Sequence, residues 1–324
     1  VQLDPTRLGT LKEAVNYVFH YPYGCLEQKS ASILPLVAFG KYIKIFSLES
    51  EVKNPKAVAE KTLKEIGKSQ RYDGGFPYWP AGSYSSPFVS MRIAEIAGLA
   101  KQNGISVKGI NEETLANYLI EFANNNCMEE DAVRYSLYEA AQAYYAASCL
   151  GANISLKNVQ KIIDSENADS ETLALCGLAC LNCDEKARAK TVASKLRKYI
   201  TMTARGAAFT NGWKNGGAYW SFFNDSSEVY ALSLQLFTQL QPKDDLNQHL
   251  VYELLTLQKA GKGYWTSTAA TARVLIALRE YIQTNNLEHL NFSAEVLLNK
   301  KQLAKGSFKG AASVPEEAAF AFKD

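Results

Sequence analysis

A cysteine and a glutamine three residues apart directly follow a proline and a glycine in the stretch YPYGCLEQ, residues 21–28. Pro22 and Gly24 should turn the chain into a helix at this point. On the first turn of that helix, the side chains of Cys25 and Gln28 share one face and can touch. The helix N-terminus would favour the Cys25 thiolate through its dipole and its free N–H groups. A thiolate beside a primary amide can attack the carbonyl carbon and expel ammonia. The spacing therefore indicates an internal thioester between the Cys25 sulfur and the Gln28 side-chain carbonyl.

Other roles for the same residues stay open at this point. A cysteine and a glutamine at this spacing form a short pattern, so Cys25 could instead be a packing residue and Gln28 a surface residue. Glu27 is either a carboxylate that orients the reacting groups or an exposed charge in a first helical turn. His20, five residues before Cys25, is either an accessory base or a packing or surface residue.

Composition and charge exclude several classes of function. The chain has 324 residues, of which 47% are hydrophobic and 21% charged, which is typical of a globular protein. The net charge is +2, and the lysines and arginines are scattered, so the sequence predicts no nucleic-acid partner. No apolar run is long enough to cross a membrane, and the first residues are not those of a signal peptide.

The spacing of three other cysteines raises the question of a metal site, but the further ligands that such a site needs are missing from the sequence. Cys176, Cys180 and Cys183 lie on one face of a helix in the stretch CGLACLNC. No second cysteine pair or histidine cluster completes a tetrahedral site, so we predict no metal and no other cofactor. We interpret these three residues, with Cys127 and Cys149, as small apolar helix residues that are mostly buried and reduced. A disulfide between two of them stays open.

Three segments share one design, in which glycines precede an aromatic residue and a tryptophan. The pairs are Tyr78–Trp79, Tyr219–Trp220 and Tyr264–Trp265. Serine or threonine then follows as a helix cap, before a helix rich in alanine and leucine. We expect the three tryptophans to pack between helices rather than to bind a ligand.

Six capped helices that are apolar on most sides alternate with more charged, amphipathic helices. Helices that are apolar all round are buried on both sides, and the alternation has the period of a helical repeat. The predicted fold class is therefore all-α, either an α/α toroid of six inner and six outer helices or an open α-solenoid. We expect the helix that starts near Cys25 to be an inner one, with Cys25 at its exposed end. In the tail NFSAEVLLNKKQLAKGSFKG, the residues alternate with the period of a β-strand on both sides of a turn-like NKK. This pattern predicts a β-hairpin. We predict a helical domain over residues 1–286 and the start of a β-rich domain over residues 287–324.

The opening stretch closely resembles the thioester motif of bacterial α2-macroglobulins, a branch of the thioester-protein family to which complement proteins also belong. The family core Cys-x-Glu-Gln is met by Cys25, Leu26, Glu27 and Gln28. The preceding residues that look like the bacterial branch are Tyr21, Pro22, Tyr23 and Gly24. The stretches DGGFPYWP, SPFVS and GYWTSTAATARVLIAL resemble the same domain, so the resemblance covers about residues 1–286.

The resemblance implies a covalent protease inhibitor rather than an enzyme. In the family, a protease cuts a bait region elsewhere in a larger chain, the thioester is uncovered, and a lysine amine of the protease opens it. The expected partners are target proteases and neighbouring domains of the full-length chain. The expected location is the periplasm or cell envelope, with an inner-membrane lipid anchor outside this segment and a role in bacterial defence.

The chain departs from some complement-type relatives, which carry a catalytic histidine further along. The corresponding region has Glu129, Glu130, Asp131 and Tyr135 instead. Without an imidazole, amines should attack the thioester directly, while water and sugars should react slowly. Two other classes of function remain as alternatives. One is an α/α-toroid enzyme such as a cyclase or a glycosidase, and the other is a thioester adhesin or plain binding scaffold.

Overall fold

The computed structural model is mostly helical and describes residues 2–3, 8–22, 24–127, 134–204, 206–211, 226–258, 262–310 and 316–317. Its helices, in chain order, are α1 (Lys12–Phe19), α2 (Leu26–Phe39), α3 (Pro55–Gly67), α4 (Pro87–Gln102), α5 (Glu112–Cys127), α6 (Arg134–Cys149), α7 (Leu156–Asp164), α8 (Ser170–Asn182), α9 (Lys186–Arg197), α10 (Ser227–Leu240), α11 (Leu246–Thr256) and α12 (Thr268–Thr284). Its strands are β1 (Gln2–Leu3), β2 (Ile200–Met202), β3 (Ala207–Phe209), β4 (Asn291–Leu298), β5 (Lys301–Lys309) and β6 (Glu316–Glu317). The prediction of a mainly α-helical chain with a small β element is confirmed.

Burial divides the helices into two classes that alternate along the chain. The even-numbered helices, called the inner helices below, are buried on nearly all sides; in α8, every residue over 170–180 is buried. The odd-numbered helices, called the outer helices, bury one stripe; α3 buries only Ala59, Leu63 and Ile66. This is the difference that their sequences predict, because a helix with one polar face lies at a surface.

The inner helices contact one another in a closed cycle. Each packs against the next in chain order from α2 to α12, and α12 packs back against α2. The outer helices pack on the inner ones that adjoin them in sequence. One close approach depends on Gly98 in α4, because a Cβ there would lie 2.4 Å from the carbonyl oxygen of Cys149 in α6.

Side-chain caps begin several of the inner helices, as the sequence predicts. Ser86, Asp169 and Ser267 each accept a hydrogen bond from a backbone N–H in the first turn of α4, α8 and α12. Each cap satisfies a donor that the helix itself cannot pair. Some elements were not predicted; they include the short outer helix α7, which Ser155 caps, and the β2–β3 pair.

The strands of the tail form the predicted hairpin. β4 and β5 pair antiparallel, and the two residues between them, Asn299 and Lys300, both have positive φ (50° and 65°). Two successive left-handed residues match the twist of a two-residue hairpin turn. The strand β1, near the first residue of the chain, pairs antiparallel with β6, near the last residue. The domain boundary near residue 286 stays a prediction.

The three tryptophans have different outcomes. Trp265 is completely buried and its indole N–H donates to the Leu254 carbonyl at 2.9 Å, so its packing role is confirmed. Trp79 is 54% exposed, so the expectation that it packs between helices is wrong. It lies in the loop before α4. Trp220 lies outside the described residues.

No helix in the described ranges combines the length and the apolarity that crossing a membrane requires.

Candidate functional site

Cys25 is the N-cap residue of α2. Its backbone is extended (φ −67°, ψ 159°), and its sulfur accepts the backbone N–H of Gln28 at 3.4 Å. An extended cap followed by helical residues is what Pro22 and Gly24 were expected to produce. The helix therefore begins where the sequence predicts, with the Cys25 sulfur over the first turn that carries Gln28.

The Cys25 side chain is buried, at 0% exposure, so the expectation that it lies at an exposed helix end is wrong. Tyr78 contacts this end of the helix, because its carbonyl oxygen accepts the N–H of Leu26 at 2.9 Å. Pro22 and Gly24 are exposed, so the thiol lies directly beneath the surface.

Burial also reverses the expected acidity of this thiol. Burial raises the pKa of Cys25 above its ordinary value, and the nearby Glu27 charge raises it further. The hydrogen bonds from the Gln28 N–H, Tyr78 and the Glu27 N–H lower it by less. The helix end does stabilise the thiolate, but the cost of removing that charge from water is larger. The free thiol is therefore mainly protonated at neutral pH.

Gln28 carries an orphaned polar atom. The residue as a whole is half-buried, but its side-chain oxygen is buried and has no hydrogen-bond partner among the described residues. Buried amide oxygens are normally hydrogen-bonded, and an unpaired one costs about 1–3 kcal/mol. This oxygen belongs to the carbonyl that the Cys25 sulfur would attack.

Glu27 is buried, at 2% exposure, so the exposed-charge interpretation is wrong. The Thr268 hydroxyl, at the start of α12, lies 2.9 Å and 3.2 Å from its two carboxylate oxygens. Burial raises the pKa of Glu27, whereas the Thr268 hydrogen bond and the Arg92 charge lower it. The middle of the motif is thus anchored to the last inner helix.

A buried group of charges, called the central ion cluster below, joins three inner helices. Arg273 makes two hydrogen bonds to Glu95, at 2.6 Å and 3.0 Å, and lies 3.5 Å from Glu228. Arg92 lies 3.6 Å from each of the same two carboxylates. The Tyr138 hydroxyl donates to Glu228 at 3.0 Å. Two positive and two negative charges balance, as buried charges require.

Aromatic side chains lie beside the motif. Tyr17 stacks on Tyr264 with ring centroids 3.8 Å apart, and it meets the edge of Tyr21 at 5.3 Å. Burial raises the pKa of Tyr17, and Tyr21, Tyr264 and Glu27 raise it further. Tyr21 therefore belongs to an aromatic group with Tyr17 and Tyr264. Sequence reasoning treated Tyr264 only as part of a packing repeat.

His20 hydrogen-bonds residues outside the motif. Its Nε2 lies 2.9 Å from Glu51, and its Nδ1 lies 3.2 Å from the carbonyl of Asn16 in α1. Leu26 is buried. Of the remaining candidates, Tyr23, Glu129, Glu130, Asp131 and the Tyr135 side chain lie outside the described residues.

The other cysteines that can be described are reduced. Cys176 and Cys180 are buried as expected, while Cys149 and Cys183 are half-buried. The side chain of Cys127 lies outside the described residues. Over the described ranges, no group of three or more His, Cys, Asp and Glu side chains is arranged to hold a metal ion.

A cavity of about 200 Å³ opens among the C-terminal halves of the inner helices α4, α6, α8, α10 and α12. Two carboxylates line it, Glu95 and Glu280. Glu95 is held by Arg273 in the central ion cluster, which leaves it unavailable as one of the two carboxylates that a glycosidase needs. Nothing in this cavity favours the enzyme alternatives.

Comparison with known proteins gives one clear likeness. No protein-family model matches the chain, and no curated protein matches it either. Solved structures of bacterial α2-macroglobulins do match it. Native Escherichia coli α2-macroglobulin, from domain MG7 to the C-terminus, has a TM-score of 0.68 and 16% identity, covering 94% of this chain and 46% of that one.

Two further structures were solved after reaction. Salmonella α2-macroglobulin reacted with methylamine has a TM-score of 0.68 and 16% identity, covering 95% of this chain and 19% of that one. Trypsin-activated E. coli α2-macroglobulin has a TM-score of 0.61 and 15% identity, covering 91% and 19%. The chain thus spans less than half the length of these proteins. At such identities the likeness establishes a shared fold.

Proposed function

We propose that this chain, whose fold is that of part of a bacterial α2-macroglobulin, is a thioester domain that traps endopeptidases covalently. The observation that carries the proposal is the geometry at the start of α2. There a buried cysteine caps the helix, the N–H of Gln28 meets its sulfur at 3.4 Å, and the Gln28 side-chain oxygen is buried without a partner among the described residues.

The ring forms by an exchange between these two side chains. The Cys25 sulfur bonds to the Gln28 side-chain carbon, and the C–N bond of the amide breaks. The leaving nitrogen departs as ammonia and takes with it the proton that the thiol loses. No cofactor or oxidant enters this balance. Burial helps to retain the product, because a covered thioester is shielded from water.

The ring opens when an amine attacks it. The amine nitrogen bonds to the Gln28 side-chain carbon, and the C–S bond breaks, so that a lysine becomes linked through an amide. The structures of Salmonella α2-macroglobulin reacted with methylamine and of the E. coli protein activated by trypsin or porcine elastase support an amine and a protease as partners. Each ring reacts once, so the proposed activity is inhibition and not turnover.

The proposed architecture is an α/α toroid with the thioester at one end of the inner helices. The closed cycle of contacts from α2 round to α12 and back to α2 supports a ring over an open solenoid. We also propose that neighbouring domains of the full-length chain cover the Cys25 end until a protease acts. The proposed location is the periplasm or cell envelope, with membrane attachment outside this segment.

Mass spectrometry of freshly purified protein tests the proposal. A thioester predicts that the peptide containing Cys25 and Gln28 is lighter by one ammonia and that Cys25 resists alkylation until methylamine is added. Gln28→Ala should abolish the mass loss and leave Cys25 alkylatable after denaturation. An unmodified mass for this peptide, in both the segment and the full-length protein, would reject the proposal.

A further inference from the structure

The cavity described above, called the C-terminal cavity below, lies where five inner helices end. Its lining includes the last or next-to-last residue of each of these helices, namely Gln102, Cys149, Asn182, Gln239 and Thr284. The last carbonyl groups of a helix have no partner within it, and the helix C-terminus carries a partial charge of about −0.5. Five such ends around one space favour the binding of a cation.

One carboxylate of the C-terminal cavity is available to a ligand. Glu280 of α12 lines the cavity, is half-buried, and makes no ion pair among the described residues. It accepts a hydrogen bond from Nε2 of Gln235 at 3.4 Å, which is long for a bond to a charged group. The other carboxylate in the lining, Glu95, is already held by two hydrogen bonds from Arg273. Glu280 is therefore the acidic group that a cation can reach.

Gln235 provides an independent observation at the same wall. It lines the cavity, it is only 3% exposed, and its side-chain oxygen has no hydrogen-bond partner within the part of the chain that the structure describes. A buried amide oxygen normally accepts a hydrogen bond, and leaving it unpaired is costly. The wall thus combines the Glu280 carboxylate with an amide oxygen that can accept a hydrogen bond from a ligand.

Arg279 is the positive residue of the lining, and it is held by other groups. Its Nε donates to the carbonyl of Ala38 at 3.1 Å, and its Nη2 donates to Oδ1 of Asn103 at 2.7 Å. These bonds fix the guanidinium to the ends of α2 and α4. Its charge therefore does not take the place of a ligand cation on the carboxylate of Glu280.

We propose that the C-terminal cavity binds a small protonated alkylamine, whose ammonium group donates hydrogen bonds to the Glu280 carboxylate and to the side-chain oxygen of Gln235. The apolar stem of the amine lies against Leu99 and Ile276, which also line the cavity. Gln102 and Thr284 are exposed, so the amine enters from the surface at the helix ends.

The donor set fits an ammonium ion better than a metal ion. Calcium takes six to eight oxygen ligands, with carboxylates prominent among them. The lining offers one carboxylate that is not already paired, and the described residues contain no cluster of acidic, histidine and cysteine side chains that could hold a metal. The volume of about 200 Å³ also accommodates an organic stem.

The amine site is separate from the candidate thioester and does not depend on it. Thr268, the first residue of α12, hydrogen-bonds Glu27 of the motif, whereas Thr284, the last residue of the same helix, lines the cavity. At 1.5 Å per residue, these two ends of α12 are about 24 Å apart. The two sites therefore lie at opposite ends of the inner helices.

Isothermal titration calorimetry with n-butylamine at about pH 8 tests the proposal. A primary alkylamine resembles the lysine side chain, with its pKa of about 10.4, and is protonated at this pH. Burial raises the pKa of Glu280 to about 7, so its carboxylate is mainly charged. The titration uses the Cys25→Ala protein, because an amine would open the proposed thioester. We expect saturable binding of n-butylamine, and binding at least about tenfold weaker for 1-butanol, which lacks the charge.

Variants in the same Cys25→Ala protein locate the bound amine. Glu280→Gln should weaken the binding of n-butylamine about 10- to 100-fold, because a hydrogen bond to a charged group is lost. Gln235→Leu, which removes a neutral acceptor, should weaken it about 2- to 10-fold. Glu49→Gln, at an exposed position, is the matched control and should leave the affinity unchanged. Circular dichroism checks that each variant is folded.

Thermal unfolding gives a second measurement of the same binding. A ligand that binds only the folded state raises the melting temperature by mass action. n-Butylamine should therefore raise the melting temperature of the Cys25→Ala protein, and it should raise that of the Glu280→Gln variant less. Absence of saturable binding to the Cys25→Ala protein, or an equal affinity for the Glu280→Gln variant, would overturn the amine site.

Discussion

The hydroxyl of Thr268 donates a hydrogen bond to the carboxylate of Glu27 at 2.9 Å, although the two residues are 241 positions apart in the chain. The contact joins the first turn of α2 to the first turn of α12, and so links the two ends of the helical cycle. It also lies inside the thioester-like motif, two residues from Cys25. This hydrogen bond therefore connects the candidate site directly to the packing between α2 and α12.

Thr268→Val should destabilise the fold more at neutral than at acidic pH. The Thr268 hydroxyl lowers the pKa of Glu27, which means that it stabilises the charged carboxylate more than the neutral acid. Its loss should cost about 1–3 kcal/mol at neutral pH and less once Glu27 is protonated. Urea unfolding at both pH values measures the difference. Thr62→Val, on the outer helix α3, should show no such pH dependence, and an equal cost at both pH values would contradict the prediction.

Cys25→Ala should abolish covalent capture of a protease and leave the fold intact. The substitution removes the sulfur that would form the ring and one weak helix cap, so the expected loss of stability is about 1 kcal/mol. Conjugates are measured by gel electrophoresis under reducing and denaturing conditions, and the fold by circular dichroism. Cys180→Ala, another buried cysteine, should keep full conjugation. Full conjugation by Cys25→Ala would eliminate the thioester hypothesis.

Amines should open the thioester in strong preference to hydroxyl groups. Only the uncharged amine attacks, and because the free lysine pKa is about 10.4, its concentration rises about tenfold per pH unit near neutrality. The opening rate with methylamine should rise accordingly. The protein is exposed to matched concentrations of methylamine and glycerol, and release of the Cys25 thiol is followed. Faster ester formation with glycerol would show that another group, such as His20 or a neighbouring domain, activates hydroxyls.

Arg273→Ala should unfold the protein more readily than any surface substitution. It leaves Glu95 and Glu228 with only Arg92 to balance them in a buried site, and breaking such a pair typically costs about 3–5 kcal/mol. Thermal and urea unfolding measure the loss. Arg197→Ala, at a half-exposed arginine, is the control and should have little effect. Adding Glu95→Gln to Arg273→Ala should restore part of the stability, and a further loss would refute this account of the cluster.

Glu280→Gln should stabilise the protein above neutral pH. Burial raises the pKa of Glu280 to about 7, with Gln235, Gln239 and Arg279 opposing the shift. A carboxyl whose folded pKa is raised loses stability as pH rises from its unfolded pKa through its folded one. The difference in unfolding free energy between the variant and the unmodified protein should therefore grow as the pH rises from about 5 to about 8. It should reach about 1–3 kcal/mol in favour of the variant. Glu49→Gln, at an exposed position, should show no gain, and a pH-independent effect of Glu280→Gln would disprove the assignment.

The local features of this protein follow from its sequence. Helix starts, caps and the tail hairpin each depend on residues within a few positions of one another, as Cys25 and Gln28 or Ser267 and Ala270 show. The apolar pattern separates the inner from the outer helices for the same reason. The helix α7 was not predicted because it is only nine residues long and buries only Val159, Ile162 and Ile163.

The tertiary structure decided what surrounds the motif. The sequence correctly predicted that a helix starts at Cys25. The burial of Cys25, however, depends on the loop that contains Tyr78. The burial of Glu27 depends on packing beside Thr268. The raised pKa of Cys25 has the same origin, because desolvation is a property of everything packed around the sulfur. Short-range patterns determine where a helix begins and which residue caps it. Only contacts between distant parts of the chain determine whether that residue is exposed to solvent or buried, and which hydrogen-bond donors reach it.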